Sequence, residues 1–427
     1  MASTSIPSSQ ASNQAVEAYP AVSDEPAPAG RAMVRPIRPL HLLILGGLSA
    51  LGPLSTDMYL PALPALAEDL SATMAQTQVT LSAGILGLAL GQLVAGPSSD
   101  AFGRRRPLLI GLAAYLVVSL LCSFSSSIGA LTVLRFAQGF TGAAGIVIAL
   151  AMVNDLYAGV AQARFFALLM QVSGLAPIIA PVIGSQLLVY TSWRGVFVTL
   201  AFVGMLLWIG TAFGLGETLP VDRRQRGGLS ALVRALAGLV TDRRYLGYAL
   251  SSGLAFGAGI VYISVSPFIL QNLYGVSPQT IGLVFALNAL GLVLMSQVSA
   301  RLVGPVSSQR LLTWGLAAGA TGGVLLLAVA LSGIGLVGIL PALFVIVASL
   351  GLTAPNATAL ALSNTRTAGS ASALLGVLQF SIGALVAPLV GLGGMTSALP
   401  MAVAIAAFGL LSLFTFLFFC RPAPTHR

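Results

Sequence analysis

The sequence predicts an all-α membrane protein with twelve transmembrane helices in two six-helix halves. Three observations predict this fold: the composition, the spacing of the charged residues and an internal repeat. Of the 427 residues, 57% are hydrophobic and only 7% are charged, and the mean hydropathy is +0.96. A soluble domain carries about 25% charged residues, so this chain could not cover its own surface in water.

The charged residues divide the chain into apolar segments that are long enough to cross a bilayer, which takes about 20 residues. Six such segments precede residue 217, and three longer ones lie at 245–300, 311–365 and 367–420. Each longer segment has turn-forming residues near its middle and should contain two helices. These residues are Gly275 with Pro278, Ser332 with Gly333, and Ser397 with Pro400.

The basic residues predict how the helices are oriented. All of them are Arg, and most lie in the N-terminal tail, the C-terminal tail and every second connection between helices. Positively charged connections stay in the cytoplasm, so we expect both termini and the central connection to be cytoplasmic. The net charge of +9 therefore indicates topology and contact with anionic lipid, not binding of nucleic acid.

An internal repeat divides the chain into two parts. Residues 87–114 align without gaps with residues 291–318, which relates helices 2 and 3 to helices 8 and 9. A parallel repeat of this kind would place a substrate between the halves near the middle of the membrane. The predicted regions are a disordered N-terminal tail at 1–38, a first half at 39–216, a cytoplasmic linker at 217–244, a second half at 245–420 and a tail at 421–427.

Asp57 is the carboxylate farthest from a predicted membrane edge. A charge in the middle of a helix costs about 2.5–3.5 kcal/mol on insertion scales, so it usually faces a cavity or a partner. If helix 1 ends near Ala65, Asp57 lies about 12 Å below the outer surface, and Arg135 lies about 10 Å below it in helix 4. The matching depths make an ion pair geometrically possible. Asp57 would then bind and release a proton, or the pair would only join helices 1 and 4.

The connection between helices 2 and 3 has the sequence GPSSDAFGRRR at 96–106. Its motif residues are Gly96, Asp100, Gly103, Arg104, Arg105 and Arg106. Gly103 permits a sharp turn, and the three Arg favour the cytoplasmic side. Asp100 falls in the last turn of helix 2, where a carboxylate opposes the helix dipole. We therefore expect Asp100 to have a partner, either Arg104 or the N-terminus of another helix, with Asp155 on the same side.

Helix 5 contains Pro177 and Pro181, followed by Gly184. Two prolines four residues apart bend a helix, and small residues at this spacing permit close contact with a neighbouring helix. General packing of membrane helices explains this pattern as well as a functional role does.

Together these features resemble the major facilitator superfamily, and within it the bicyclomycin/chloramphenicol-resistance (Bcr/CflA) drug:proton antiporters. The resemblance extends from about Leu40 to Cys420. The segment STDMYLPALP at 55–64 is similar to the helix 1 signature of the subfamily, and 96–106 is similar to the loop 2–3 motif of the superfamily. The segment RFAQG at 135–139 resembles the helix 4 motif of proton-coupled members, helix 5 resembles the antiporter motif, and 366–376 resembles the start of helix 11.

The resemblance implies roles for the residues that match. A central cavity that couples protons to drug would include Asp57, Tyr59, Arg135 and Gln138. A cytoplasmic charge cluster would contain Asp100, Arg104 and Asp155. The resemblance also implies that Asp100 meets the start of helix 11, near Gly369, when the cytoplasmic side is closed.

The sequence departs from the family pattern at three places. Asn154 stands where the subfamily usually has Arg, which would weaken the charge cluster. Ala176 and Ala180 stand where the antiporter motif favours Gly. In the second copy of the loop motif, Gly304 aligns with Asp100, so the two halves should differ at their cytoplasmic ends.

We therefore expect proton-coupled export of lipophilic drugs, of the multidrug or chloramphenicol/bicyclomycin kind, by alternating access across the bacterial cytoplasmic (inner) membrane. The expected partners are the drug, protons and membrane lipid, and a monomer should be sufficient. The sequence has no metal-ligand cluster, nucleophile motif or phosphate-binding loop, so we expect neither an enzyme nor a cofactor.

Two other functions stay open. One is export or import of a small metabolite such as a sugar or amino acid, which would favour a polar cavity; the few polar candidates are Gln138, Asn288, Asn356 and Gln379. Aromatic residues favour an apolar ligand instead, and these are Phe256, Tyr262, Phe268 and Phe285. The other function is a receptor or channel, against which the repeat and the loop 2–3 motif count.

Overall fold

The computed structural model describes residues 38–224, 242–363, 368–391 and 397–420. Within these ranges, twelve helices are long and apolar enough to cross a membrane, which confirms the predicted fold class. We number their cores in chain order: α1 Pro39–Asp57, α2 Met74–Phe102, α3 Arg105–Ser123, α4 Ile128–Leu156, α5 Gly159–Tyr190, α6 Trp193–Gly214, α7 Arg243–Phe268, α8 Pro278–Leu302, α9 Ser308–Ser332, α10 Leu336–Leu362, α11 Ala368–Gly391 and α12 Leu399–Phe419.

Short polar side chains begin many of these helices by accepting a hydrogen bond from a free backbone N–H of the first turn. Thr73 and Gln76 form a reciprocal capping box at the start of α2. The other residues that cap a helix in this way are Ser127, Ser192, Asp242, Ser277 and Ser307. The predicted turns also lie between helices, and Gly333 ends α9 with a φ of +70°.

Helix 1 differs from the prediction that it ends near Ala65. The first part ends at Asp57, a 3-10 turn follows at Leu60–Ala62, and a two-turn helix continues over Leu63–Asp69. Pro61 explains the break, because proline has no N–H to donate to the carbonyl four residues earlier and its ring clashes with that carbonyl. For Pro61 this is the backbone carbonyl of Asp57, so the helix breaks at the residue that carries the carboxylate.

The two ends of the helix bundle differ in packing. We call α1–α6 the first half and α7–α12 the second half. The arginine-rich end is the end where α3 begins at Arg105 and α7 begins at Arg243; the other is the opposite end. One apolar cluster at the opposite end contains residues of both halves, such as Met58 and Phe268. Three other clusters each belong to a single half.

Hydrogen bonds between the two halves also lie at the opposite end, where the shared apolar cluster lies. Side-chain hydrogen bonds cross between the halves there, and a glutamine Nε2 donates to a backbone oxygen in each of the following: Gln78 to Ser264 (3.4 Å), Gln271 to Pro61 (3.0 Å) and Gln279 to Ser185 (3.2 Å). The bundle is therefore held closed at the opposite end.

Several expectations fall on residues outside the described ranges. These are the N-terminal tail, most of the linker (225–241), the first residues of the helix 11 motif (364–367) and the C-terminal tail. The predicted domain boundaries stay predictions.

Candidate functional site

Asp57 lies at the break of helix 1, as the last residue of α1. Its side chain is partly exposed, and one carboxylate oxygen accepts a hydrogen bond of 3.0 Å from Thr56 Oγ1. The next residue, Met58, belongs to the apolar cluster that contains residues of both halves. Asp57 therefore lies beside the interface between the halves, at a helix end whose polar backbone is not fully paired.

Arg135 is buried in the first half, with 1% of its surface exposed. Its guanidinium donates to Gln138 Oε1, and Gln138 Nε2 donates to Ser119 Oγ at 2.7 Å. The guanidinium carbon also lies 4.3 Å from the centre of the Tyr59 ring, a distance typical of a cation–π contact. The structure thus brings together Arg135, Gln138 and Tyr59, three of the four residues expected in the central site.

The expected ion pair between Asp57 and Arg135 is not formed. Asp57 hydrogen-bonds to Thr56, and Arg135 to Gln138. Four ion pairs occur among the described residues, and none includes either side chain. Arg135 is seven residues from the start of α4, as the sequence predicted. The direction in which each side chain leaves its helix separates the two.

A small void lies between α1, α2 and α4, beside Arg135 and next to Thr56, the residue before Asp57. Its volume is about 10 Å³, and Thr56 and Arg135 both contact it. This is about the smallest space that admits one water molecule. Arg135 Nε has no hydrogen-bond partner among the described residues. Thr56 therefore contacts both the Asp57 carboxylate and the void that Arg135 borders.

The wall of the second half near Asp57 is neutral. Asn288 Nδ2 donates to the Tyr262 hydroxyl at 2.7 Å, and the Tyr262 ring packs against Phe285. The four polar candidates of the metabolite alternative are all hydrogen-bonded within the protein. Their partners are Ser119 for Gln138, Tyr262 for Asn288, Ser299 for Asn356 and Ser252 for Gln379.

Three of the four aromatic residues expected to favour an apolar ligand are buried in the protein. Tyr262, Phe268 and Phe285 are at most 5% exposed and belong to the apolar cluster at the opposite end. Only Phe256 is half-buried, and it packs edge-on against Phe380 of α11. Sequence could not separate them, because aromatic residues fill cores and line cavities alike.

The loop 2–3 residues form a charge cluster at the arginine-rich end. Arg104 pairs with Asp100 and, at 3.0 Å, with Asp155, and it also donates to Ser99 Oγ. Burial alone would lower the pKa of Arg104, but Asp155 and Asp100 raise it above its ordinary value. Of the two partners expected for Asp100, Arg104 is the one found here.

The rest of the motif surrounds this cluster. Gly103 has a φ of +90°, which only glycine adopts without strain. Arg105 donates to the backbone oxygen of Ala212. Arg106 is exposed, and Gly96 lies beside Val147.

Glu217 completes the cluster, although the sequence assigned it only to the linker. Its carboxylate accepts hydrogen bonds from the backbone N–H groups of Arg104 and Arg105, at 2.8 and 3.3 Å, where α3 begins. Burial raises the pKa of Glu217, but these bonds and those from Thr218 and Leu219 lower it below its ordinary value. A helix N-terminus that lacks a capping side chain needs such an acceptor, and this could have pointed to Glu217.

Helix α5 is continuous through Pro177 and Pro181. A Cβ at Gly184 would overlap the carbonyl oxygen of Met58, so the glycine lets α5 touch the break of helix 1. The next residue, Ser185, contacts Gly282 of α8. The helix 5 motif therefore packs against the residue next to Asp57 and against the second half.

Comparison with known proteins connects this arrangement to transporters. The model of the Major Facilitator Superfamily matches residues 45–388. An uncharacterized MFS-type transporter of Bacillus subtilis, YdgK, is 37% identical over 87% of this chain and 94% of its own length. A bicyclomycin resistance protein homolog of Haemophilus influenzae is 30% identical over 89% of this chain and 96% of its own. The multidrug resistance protein MdtL of Klebsiella pneumoniae is 30% identical over 58% of this chain and 63% of its own.

Solved structures share the fold at low sequence identity. The nucleoside transporter NupG is similar over 89% of this chain and all of its own, with a TM-score of 0.74 and 13% identity. The xylose transporter XylE from E. coli, in an inward open conformation, covers 90% of this chain and 97% of its own, with a TM-score of 0.70 and 13% identity.

Proposed function

This chain belongs to the major facilitator superfamily of transporters, and we propose that it exports lipophilic drugs in exchange for protons. The names of two relatives, which refer to bicyclomycin resistance and multidrug resistance, support drugs as the substrate class. The position of Asp57 supports the proton, and it is the observation that carries this proposal.

Asp57 has the properties that a proton carrier in a membrane transporter needs. It is partly exposed and has Thr56 as its hydrogen-bond partner, without a basic residue in ion-pair contact among the described residues. An ionised carboxylate enclosed in a low-dielectric space without a cation is strongly unfavourable. The cavity should therefore close around Asp57 only when a proton neutralises the carboxylate or a bound drug donates hydrogen bonds to it.

This requirement gives an exchange cycle. When the site faces the cytoplasm, Asp57 loses its proton and a drug binds beside it. After reorientation, a proton from outside binds Asp57, favours release of the drug and permits the return step. Each proton that crosses 100 mV supplies about 2.3 kcal/mol.

Other residues would support the cycle without carrying the proton. Arg135, fixed by Gln138 and Tyr59, would keep a positive potential near the proton site. Gly184 would let α5 follow the break of helix 1 as the halves move. The cluster around Arg104 would stabilise the arginine-rich end when it closes.

The proposal also includes the orientation of the chain in the membrane and the bacterial membrane in which it lies. The arginine-rich end and both termini would face the cytoplasm of a bacterium, by the positive-inside rule. The proton gradient alone would drive transport, with no cofactor or metal, and a monomer would be sufficient.

The experiment that tests the proposal uses Asp57→Asn in a host that lacks its own efflux pumps. A panel of lipophilic antibiotics, including chloramphenicol and bicyclomycin, is applied to cells with wild type, Asp57→Asn or the control Glu68→Gln. Glu68 is exposed, at the end of the same segment. We expect wild type and the control to confer resistance to at least one drug, and Asp57→Asn to confer none at equal amounts in the membrane. Full resistance with Asp57→Asn would disprove proton coupling at this residue.

Counterflow in proteoliposomes distinguishes transport of drugs from transport of a small metabolite. Exchange of labelled drug against unlabelled drug, without exchange of sugars or amino acids, is the expected result. A channel would show no counterflow with any solute.

A further inference from the structure

A groove lies on the lateral surface of the first half, between α2, α3 and α4. Its volume is about 410 Å³. Val94, Phe102 and Ile110 line it and are 54%, 66% and 70% exposed. Exposed apolar side chains of this size face lipid in a membrane protein, so the groove opens to the bilayer.

Small residues create the groove. A Cβ at Gly91 would overlap the carbonyl oxygen of Phe140, so α2 and α4 touch through their backbones there. Gly111 of α3 approaches Ala144 of α4 in a similar way. Because the facing helices have little side-chain volume here, their surface forms a groove.

The length of the groove matches one leaflet of a bilayer. It extends along α2 from Phe102 to Gly91 and along α3 from Arg106 to Ala114. At 1.5 Å per residue these distances are about 16 Å and about 12 Å. Half of the hydrocarbon core of a bilayer is about 15 Å, so one acyl chain would fill the groove from the arginine-rich end inward.

The Arg106 side chain lies at the arginine-rich end of the groove. Arg106 is exposed and, in the part of the chain that the structure describes, has neither an ion pair nor a hydrogen bond. Its neighbours are engaged elsewhere, since Arg104 binds two carboxylates and Arg105 binds the Ala212 carbonyl. Arg106 therefore has its charge available for a ligand.

We propose that this groove binds an anionic phospholipid of the leaflet at the arginine-rich end. The phosphate contacts Arg106, and one acyl chain lies along α2 and α3. A free anion would leave the groove empty, and an uncharged lipophile would leave Arg106 unpaired, whereas an anionic lipid matches both. Basic pockets between membrane helices bind such headgroups, at about 1 kcal/mol for each basic residue near the surface.

Native mass spectrometry of the purified full chain tests the proposal without measuring transport. Dioleoylphosphatidylglycerol and dioleoylphosphatidylcholine, which share their chains and differ in headgroup charge, are titrated separately. Wild type should bind its first phosphatidylglycerol about fivefold more tightly than phosphatidylcholine. Arg106→Ala should abolish this preference, and Ala114→Phe, which fills the groove, should weaken binding of both lipids.

Arg301→Ala is the matched control. Arg301 is exposed at the same end, in the last turn of α8 in the second half. It should keep the preference for phosphatidylglycerol. A preference that persists in Arg106→Ala, that disappears equally in Arg301→Ala, or that comes with unchanged lipid binding in Ala114→Phe would overturn the proposal.

Discussion

The two halves share a fold but differ in their deep polar residues. In the first half, Asp57 and Arg135 lie within the membrane-spanning helices, away from the helix ends at the surface. In the described helices of the second half, the charged residues lie at the arginine-rich end, and the deep polar groups are neutral, as in the Tyr262–Asn288 pair. Among the described residues, deep charged side chains therefore occur in the first half, although both halves consist of six membrane-spanning helices.

The connections at the arginine-rich end show the same difference. Between α2 and α3, Arg104 joins two carboxylates, and Glu217 caps α3. Between α8 and α9, Gly304 stands at the position that aligns with Asp100, and Val303 and Val306 form an isolated bridge. The asymmetry expected from Gly304 is therefore present in the described structure, and the first half is the one whose connection is fixed by charge.

Among the variants that test this difference between the halves, we expect the largest effect on drug efflux from a substitution of Arg135. Arg135→Gln removes the charged donor to Gln138 and the cation above Tyr59. Loss of a charge-assisted hydrogen bond costs about 1.5–3 kcal/mol, so drug efflux should fall about 10- to 100-fold. Arg301→Gln in the second half is the control and should keep efflux within a factor of two of wild type. Equal losses in the two variants would contradict the assignment of ionic function to the first half.

The next effect concerns the contact between α5 and the break of helix 1. Gly184→Ala would push a methyl group into the Met58 carbonyl, and overpacking of this kind costs about 1–3 kcal/mol. We expect a lower thermal midpoint and reduced efflux. Gly376→Ala in α11 is the matched control, because no atom lies within 4 Å of the added Cβ. If Gly184→Ala were as stable and active as Gly376→Ala, the contact would have no role.

A smaller effect should follow from the neutral wall of the second half. Tyr262→Phe removes the acceptor of the Asn288 hydrogen bond, which is worth about 1 kcal/mol. Apparent drug affinity should weaken about fivefold, while the pH dependence of efflux stays that of wild type. Efflux measured over a range of external pH separates the two quantities. A shifted pH profile with unchanged affinity would give the second half a part in proton binding.

The smallest effect is expected at the charged connection of the first half. Because the pKa of Glu217 lies below its ordinary value of 4.5, its ionised form stabilises the folded chain above that pH. This contribution is lost as the pH falls through the lowered pKa. Glu217→Gln should therefore lower the thermal midpoint at pH 7 by roughly 1–2 °C. The difference from wild type should shrink as the pH falls below 4.5, and a difference that grew instead would contradict this sign.

Much of the fold and family was accessible from the sequence. The twelve spans, the helix boundaries near Pro278 and Ser332, and the family resemblance from 55–64 and 96–106 are confirmed. The cluster of Arg104 with Asp100 and Asp155 was also expected, because the resemblance to the family implied it. The roles of the site residues in transport stay predictions.

What the sequence did not contain was the direction of each side chain. Asp57 and Arg135 were assigned similar depths, but a contact also requires that two helices turn those residues toward each other. Arg135 instead turned toward Gln138 on its own helix, three residues along, where side chains are neighbours in any α-helix. Glu217 was missed because its partners are the backbone N–H groups of Arg104 and Arg105. The uncapped start of α3 shows that an acceptor is needed, but not which of the distant carboxylates supplies it.

The sequence by itself determined that the chain crosses a membrane as helices, where those helices lie and which family they form. It could do so because a bilayer requires each segment to satisfy its own backbone hydrogen bonds, which makes a helix a local property. The tertiary structure decided that the break of helix 1 packs against Gly184, that Arg135 is paired within its own half, and that the halves close at the opposite end. These depend on how helices rotate and pack against one another, and packing is set by contacts between residues that are far apart in sequence.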